Sequence, residues 1–115
     1  MEVILVITSF PDKASALMLA QKLIENRAAA CINILAESTS VYRWQGETET
    51  TDEIPVFIKT LAENYVAVEK IIKAIHPYEL PEIIAVPVKT GLPAYLQWVT
   101  DEVPIIVEPI IENKI

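Results

Sequence analysis

Val3-Ile4-Leu5-Val6-Ile7, running on into Thr8-Ser9-Phe10-Pro11-Asp12, is the stretch from which the fold is read. An unbroken aliphatic and β-branched run of this length matches a strand covered on both faces, and the Pro-Asp stop ends it at a turn. Immediately beyond it, Ala16, Leu19, Ala20, Leu23 and Ile24 recur at three- and four-residue intervals up to about Arg27, while Lys13, Gln21, Lys22 and Glu25 fall between them. That spacing predicts an amphipathic helix, with the Asp12 side chain placed to accept from the first free backbone N–H groups.

Working outward, residues from about Ala30 to Trp44 form a long extended stretch rich in β-formers. It comprises Cys31-Ile32-Asn33-Ile34-Leu35 and then Ser38-Thr39-Ser40-Val41-Tyr42-Arg43-Trp44. Gln45-Gly46 and the polar run Glu47-Thr48-Glu49-Thr50-Thr51-Asp52 separate it from Ile54-Pro55-Val56-Phe57-Ile58-Lys59-Thr60, and the simplest reading is a hairpin. Pro55 cannot donate a ladder hydrogen bond, so it is expected at a strand start or on a sheet edge. Helical spacing returns from Asn64 to Ile75 through Val68, Ile71 and Ile72, and His76-Pro77 ends it. A fourth strand is predicted over 81–88 and a short helix over 92–99 carrying Tyr95 and Trp98. A proline-bounded apolar tail follows from Pro104.

Strand, helix, strand, strand, helix, strand is the order of a ferredoxin-like α+β sandwich: a βαββαβ chain making one antiparallel sheet, both helices on one face, here with an extra short C-terminal helix. The strands over 3–7 and 83–88 are apolar on both sides, so a two-layer monomer would leave one side as a large bare patch. Oligomerisation is the expected cover.

The chain has 115 residues, 52% of them hydrophobic and 22% charged, which suits one cored domain over 1–115. Its formal net charge of −7 repels phosphate backbones and argues against nucleic acid as a partner. The same acidity suits cation accumulation, though it is also the ordinary charge of a soluble bacterial protein. The opening apolar run is too short to span a bilayer and lacks the basic flank of a secretion signal. One cysteine forms no internal disulfide and fits a reducing compartment, so no membrane association and a cytoplasmic location are expected.

No phosphate-binding glycine loop, nucleophile elbow, His-x-x-x-His or Cys-x-x-Cys pair is present, and the expectation is a protein that is not an enzyme. Soft or borderline metal ligands are few, Cys31 and His76 chief among them, and a threefold assembly would multiply their count at a shared axis or boundary. Each has a plainer reading: Cys31 as a buried inert core thiol, His76 as a cation at a helix C-terminus. The Ser40–Gly46 segment sets two aromatic rings and a guanidinium together near a strand end. Glu53 and Lys59, if turned into a cleft with His76 and Tyr78, would make a small polar pocket. An anionic small molecule held by Lys59, Arg43 and His76 is the alternative that such a pocket would serve.

Ala28-Ala29-Ala30-Cys31-Ile32-Asn33-Ile34, Ser40-x-Tyr42-x-Trp44-x-Gly46, Glu53 ahead of Lys59-Thr60, His76-Pro77-Tyr78-Glu79-Leu80-Pro81-Glu82-Ile83-Ile84 and Tyr95-Leu96-x-Trp98 are colinear over about residues 3 to 100. Their order and spacing resemble the CutA family of divalent-cation tolerance proteins. The resemblance implies a homotrimer, a link to divalent cations with copper foremost, Cys31 and His76 at positions discussed as copper ligands, and an inter-subunit cleft lined by Tyr42, Trp44, Glu53, Lys59, Tyr78 and Trp98; such a trimer is expected to resist heat, because strand pairing and apolar burial between subunits add to a small protomer's core. It leaves room for a second role, as a trimeric small-molecule sensor resembling PII-like proteins or as an anchoring scaffold. Ile75 stands where many relatives carry a second histidine, which halves the local imidazole count. The tail from 104 to 115 lies beyond the match.

Overall fold

A computed structural model describes residues 2–104. The elements, in chain order, are β1 (Val3–Phe10), α1 (Lys13–Glu25), β2 (Cys31–Ile34), β3 (Ser38–Trp44), β4 (Glu47–Leu61), α2 (Tyr65–Ile75), β5 (Ile83–Pro87) and α3 (Pro93–Glu102), with one 3₁₀ turn over Ala62–Asn64 ahead of α2. The strands form a sheet in the order β2-β4-β1-β5, with β3 also paired to β4. All four pairings are antiparallel. This is the ferredoxin-like order, with the second strand split in two.

The Asp12 carboxylate caps α1 by accepting from the Ser15 N–H at 2.8 Å. That bond, donated to the charged form, holds the Asp12 carboxyl below its ordinary pKa. α1 ends at Glu25 with Asn26 as its cap, and Arg27 just beyond takes the left-handed φ of 53° that closes many helices. The two glycines of this chain lie elsewhere.

One face of the sheet packs on α1 and α2. Val6, Phe10, Val56 and Ile58 meet Ala16, Leu19, Leu23, Val68, Ile71 and Ile72 in a single cluster. Ile24, counted by spacing in the apolar stripe of α1, is instead 49% exposed, because the buried stripe runs through Ala16, Leu19 and Leu23 alone. The other face carries Leu5, Ile7, Phe57 and Lys59 by alternation along β1 and β4. α3 covers only one end of that face, where Val99 and Val103 pack on Val3 and Leu61. The Asn64 amide donates to the Pro104 carbonyl at 2.8 Å. Beyond Pro104, the expected apolar tail lies outside the described residues.

Three expectations are corrected. The run over 47–52 is strand rather than turn: Ser38 to Trp44 pair residue by residue with Glu53 to Glu47, and the turn contracts to Gln45-Gly46. Both turn residues have positive φ, 51° and 84°, the type I′ pattern whose twist matches a two-residue hairpin. Residues 30–44 are not one strand. Ile34 faces Val56 and Ser38 faces Glu53, so the three residues between on one side oppose two on the other, a β-bulge at residues 35–37. Pro55 lies inside β4, between two neighbouring strands, and not at a start or edge. The bulge is what accommodates it: the Pro55 carbonyl still accepts from the Leu35 N–H at 2.9 Å, and the missing proline N–H falls where the ladder is already broken.

Candidate functional site

Along β4, Glu53, Pro55, Phe57, Lys59 and Leu61 share the face turned away from α1 and α2. The functional side chains expected from the sequence are distributed along this face in two groups. Glu53 and Lys59 are six residues apart, about 20 Å at strand rise.

At the α3 end, Cys31 pairs in register with Lys59. Lys59 Nζ donates to Asn33 Oδ1 at 2.8 Å, and the Cys31 thiol donates to the same oxygen at 3.9 Å. The Lys59 ammonium also lies 5.8 Å from the centroid of the Tyr95 ring, which in turn sits 5.7 Å from the Trp98 ring. Cys31 is half-buried and belongs to the face that α3 covers in part, so it is not a thiol of the helix-packed core. Asn33 joins the two side chains, and simple alternation from Cys31 would have found it.

At the opposite end, the base of the β3–β4 arm and the segment over 77–82 enclose a cavity of about 830 Å³. Tyr42, Trp44, Glu53 and Tyr78 line it, together with Ser9, Thr51, Glu79 and Glu82. The Glu53 carboxylate is buried, 8% exposed, and accepts from the Tyr78 hydroxyl. Burial, and then the negative charge of Glu53, push the Tyr78 phenol up to about 12. The Tyr42 and Thr51 hydroxyls share a 3.0 Å hydrogen bond. Sequence reading missed Ser9, Glu79 and Glu82. The last two were visible only as acids in a proline-rich turn, with no periodicity to aim them.

His76 stands behind this cavity. Its ring packs, tilted, with its centroid 4.2 Å from that of Phe10 and 4.8 Å from that of Tyr78. The Tyr78 N–H donates to Nδ1 at 3.2 Å, so that nitrogen carries no proton, and Nε2–H donates to the Ser9 carbonyl. Both ring nitrogens are thus engaged in hydrogen bonds. His76 is 9% exposed at the C-cap of α2. It does not meet Cys31 in one chain: Ser9 pairs with Pro55 and Cys31 with Lys59, four residues further along β4 and on its other side. Nor do Lys59, Arg43 and His76 converge, since Arg43 donates to the Gly46 carbonyl at the tip of the arm. Among the described residues, no three His, Cys, Asp or Glu side chains group as a metal site, and no helix is long and apolar enough to cross a membrane.

A ferredoxin-like α+β protein with an uncovered sheet face and an aromatic, acidic cavity at one end of it is the class so defined. The chain belongs to the CutA family: the family model described as CutA1 divalent ion tolerance protein matches residues 4–102. The Thermus thermophilus divalent-cation tolerance protein CutA is 40% identical over 101 residues, 88% of this chain and 97% of its own length. A crystal structure of CutA from Xylella fastidiosa is 44% identical and covers 90% of this chain and 100% of that one, with a TM-score of 0.87. CutA1 from Oryza sativa, 36% identical, covers 90% of this chain and 95% of its own, also at 0.87. The chain spans 62% of the length of the Xenopus laevis CutA homolog and 50% of the Mus musculus protein.

Proposed function

We propose that this protein acts, without catalysing a reaction, in the cytoplasmic response to divalent cations, as a homotrimer that binds copper or a similar ion through Cys31. The observation that carries this reading is the placement of the Cys31 thiol. It lies on the sheet face away from the helices, half-buried beside an amide oxygen, where a soft ion can reach it. The described residues of a single chain supply too few soft donors there, so neighbouring copies would complete the set. A thiolate and an amide oxygen fit copper or zinc better than magnesium or calcium. His76 joins such a site only if its ring leaves the Ser9 and Tyr78 hydrogen bonds.

Calorimetric titration of the reduced protein with Cu(I), Cu(II) and Zn(II) tests this. Binding at a simple ratio per chain, weakened at least about tenfold in Cys31→Ser, is the expected result. The His76→Ala protein is expected to bind nearly as well, because both imidazole nitrogens are already engaged. Binding indifferent to Cys31→Ser would overturn the assignment.

A further inference from the structure

Two exposed aliphatic side chains of α1, Leu17 at 44% and Ile24 at 49%, lie on one stripe of the helix, with half-buried Ala20 between them and Lys13 one turn above Leu17. This stripe flanks the buried one of Ala16, Leu19 and Leu23. It belongs to the helix layer, and not to the open sheet face on which the proposed trimer rests.

The chain is led to the foot of this stripe. After α3, the Arg27 guanidinium donates to the Glu102 carbonyl at 3.2 Å, Val103 is 1% exposed, and the Asn64 amide donates to the Pro104 carbonyl at 2.8 Å. Arg27 comes just after α1, three positions past Ile24, and Asn64 directly precedes α2. The backbone thus leaves α3, on the open face, and at Pro104 has arrived at the end of the helix layer. The family match stops at residue 102, and beyond Pro104 the sequence reads Ile105-Ile106-Val107-Glu108-Pro109-Ile110-Ile111-Glu112. Such a run of aliphatic side chains is driven to cover whatever apolar surface lies within reach.

We infer that residues 105–112 fold back along α1 as an apolar strap over Leu17, Ala20 and Ile24. Extended at about 3.3 Å per residue, the segment reaches about 26 Å, ample for the roughly 16 Å from Ile24 to Lys13 along the helix. The order of side chains agrees: the isoleucines come first, for Ile24 and Leu17, and Glu112 comes last, for Lys13. Pro109 disfavours helical backbone at Glu108 and so suits an extended strap. The strap shares no residue with the Cys31 site, so metal binding stands or falls separately.

The test labels single cysteines in the full chain on a Cys31→Ser background. Leu17→Cys reports the strap, and Met18→Cys, on another flank of α1 and 57% exposed, is the control. Replacing Ile105, Ile106, Ile110 and Ile111 together by serine should speed maleimide labelling of Leu17→Cys by about tenfold or more, while Met18→Cys reacts at one rate in both chains. A second measurement keeps Cys31 in place: Ile24→Ser and the four tail serines are combined in a urea-unfolding cycle, and their effects should be less than additive because each removes the same contact. Leu17→Cys labelling that ignores the tail, or strictly additive effects of Ile24→Ser and the tail serines, overturns the inference. Protection of Leu17→Cys that grows with protein concentration would give the stripe to a second copy and overturn it as well.

Discussion

His76 and Tyr78 are read together at the residue scale, because the chain turns so tightly at Pro77 that the Tyr78 N–H bonds to the His76 ring. Phe10 and the Ser9 carbonyl fix the other edge of the imidazole. The sequence identified both residues as functional but not which way either would point, since that depends on contacts with β1, sixty-seven residues away. Tyr78 carries a pH prediction. Its folded-state pKa is raised from 10.0 to about 12, by burial first and by the Glu53 carboxylate second. The folded state therefore holds the phenolic proton more tightly than the unfolded chain. The stability this contributes is fully present below about pH 10 and is lost as pH rises toward 12. Urea unfolding at pH 9 and pH 11.5 should show a steeper alkaline loss for the native protein than for Tyr78→Phe. Parallel losses would mean that Tyr78 does not see Glu53.

Among the elements, both helices, the first strand and the order of the sheet were legible because apolar spacing encodes them directly: Leu19 and Leu23, Val68 and Ile72 bury as their intervals require. The arm was not. Glu47 to Asp52 has no hydrophobic alternation, since both its faces are largely open, and its strand identity comes only from pairing with Ser38 to Trp44. Pro55 misled for a related reason: a bulge set by residues on another strand cannot be seen from the proline's own neighbours. The arm's register hangs on Gln45-Gly46. A Cβ at Gly46 would meet nothing within 4 Å, so the cost of substitution there is conformational alone, arising from its φ of 84°. Gly46→Val should lower unfolding free energy by roughly 1–2 kcal/mol, seen as an earlier midpoint in chemical denaturation at unchanged slope. An unchanged midpoint would mean that the arm melts independently of the sandwich.

For the whole molecule, the open sheet face decides the most. α3 closes one end of it and the cavity lies at the other, while between them Ile84 is 50% and Val86 42% exposed on β5, with half-buried Leu5 and Ile7 beside them. These residues lie in register, Leu5 with Val86 and Ile7 with Ile84, so they form a continuous apolar strip on the face that also carries Cys31 and Glu53. Scattered exposed aliphatics are ordinary, but an aligned strip across adjacent strands is the mark of a surface meant for another copy. The proposed trimer uses this strip, and each side chain withdrawn from water there contributes about 1.5–3 kcal/mol. Native protein at micromolar concentration should therefore sediment as a trimer and resist heat. The double variant Ile84→Glu, Val86→Glu should dissociate to monomer with a melting temperature lower by at least about 15 °C, because charges in that strip can be neither solvated nor paired in the assembly. A trimer that survives both glutamates would place the interface elsewhere, and a native monomer would leave Cys31 without the neighbours that metal binding asks of it.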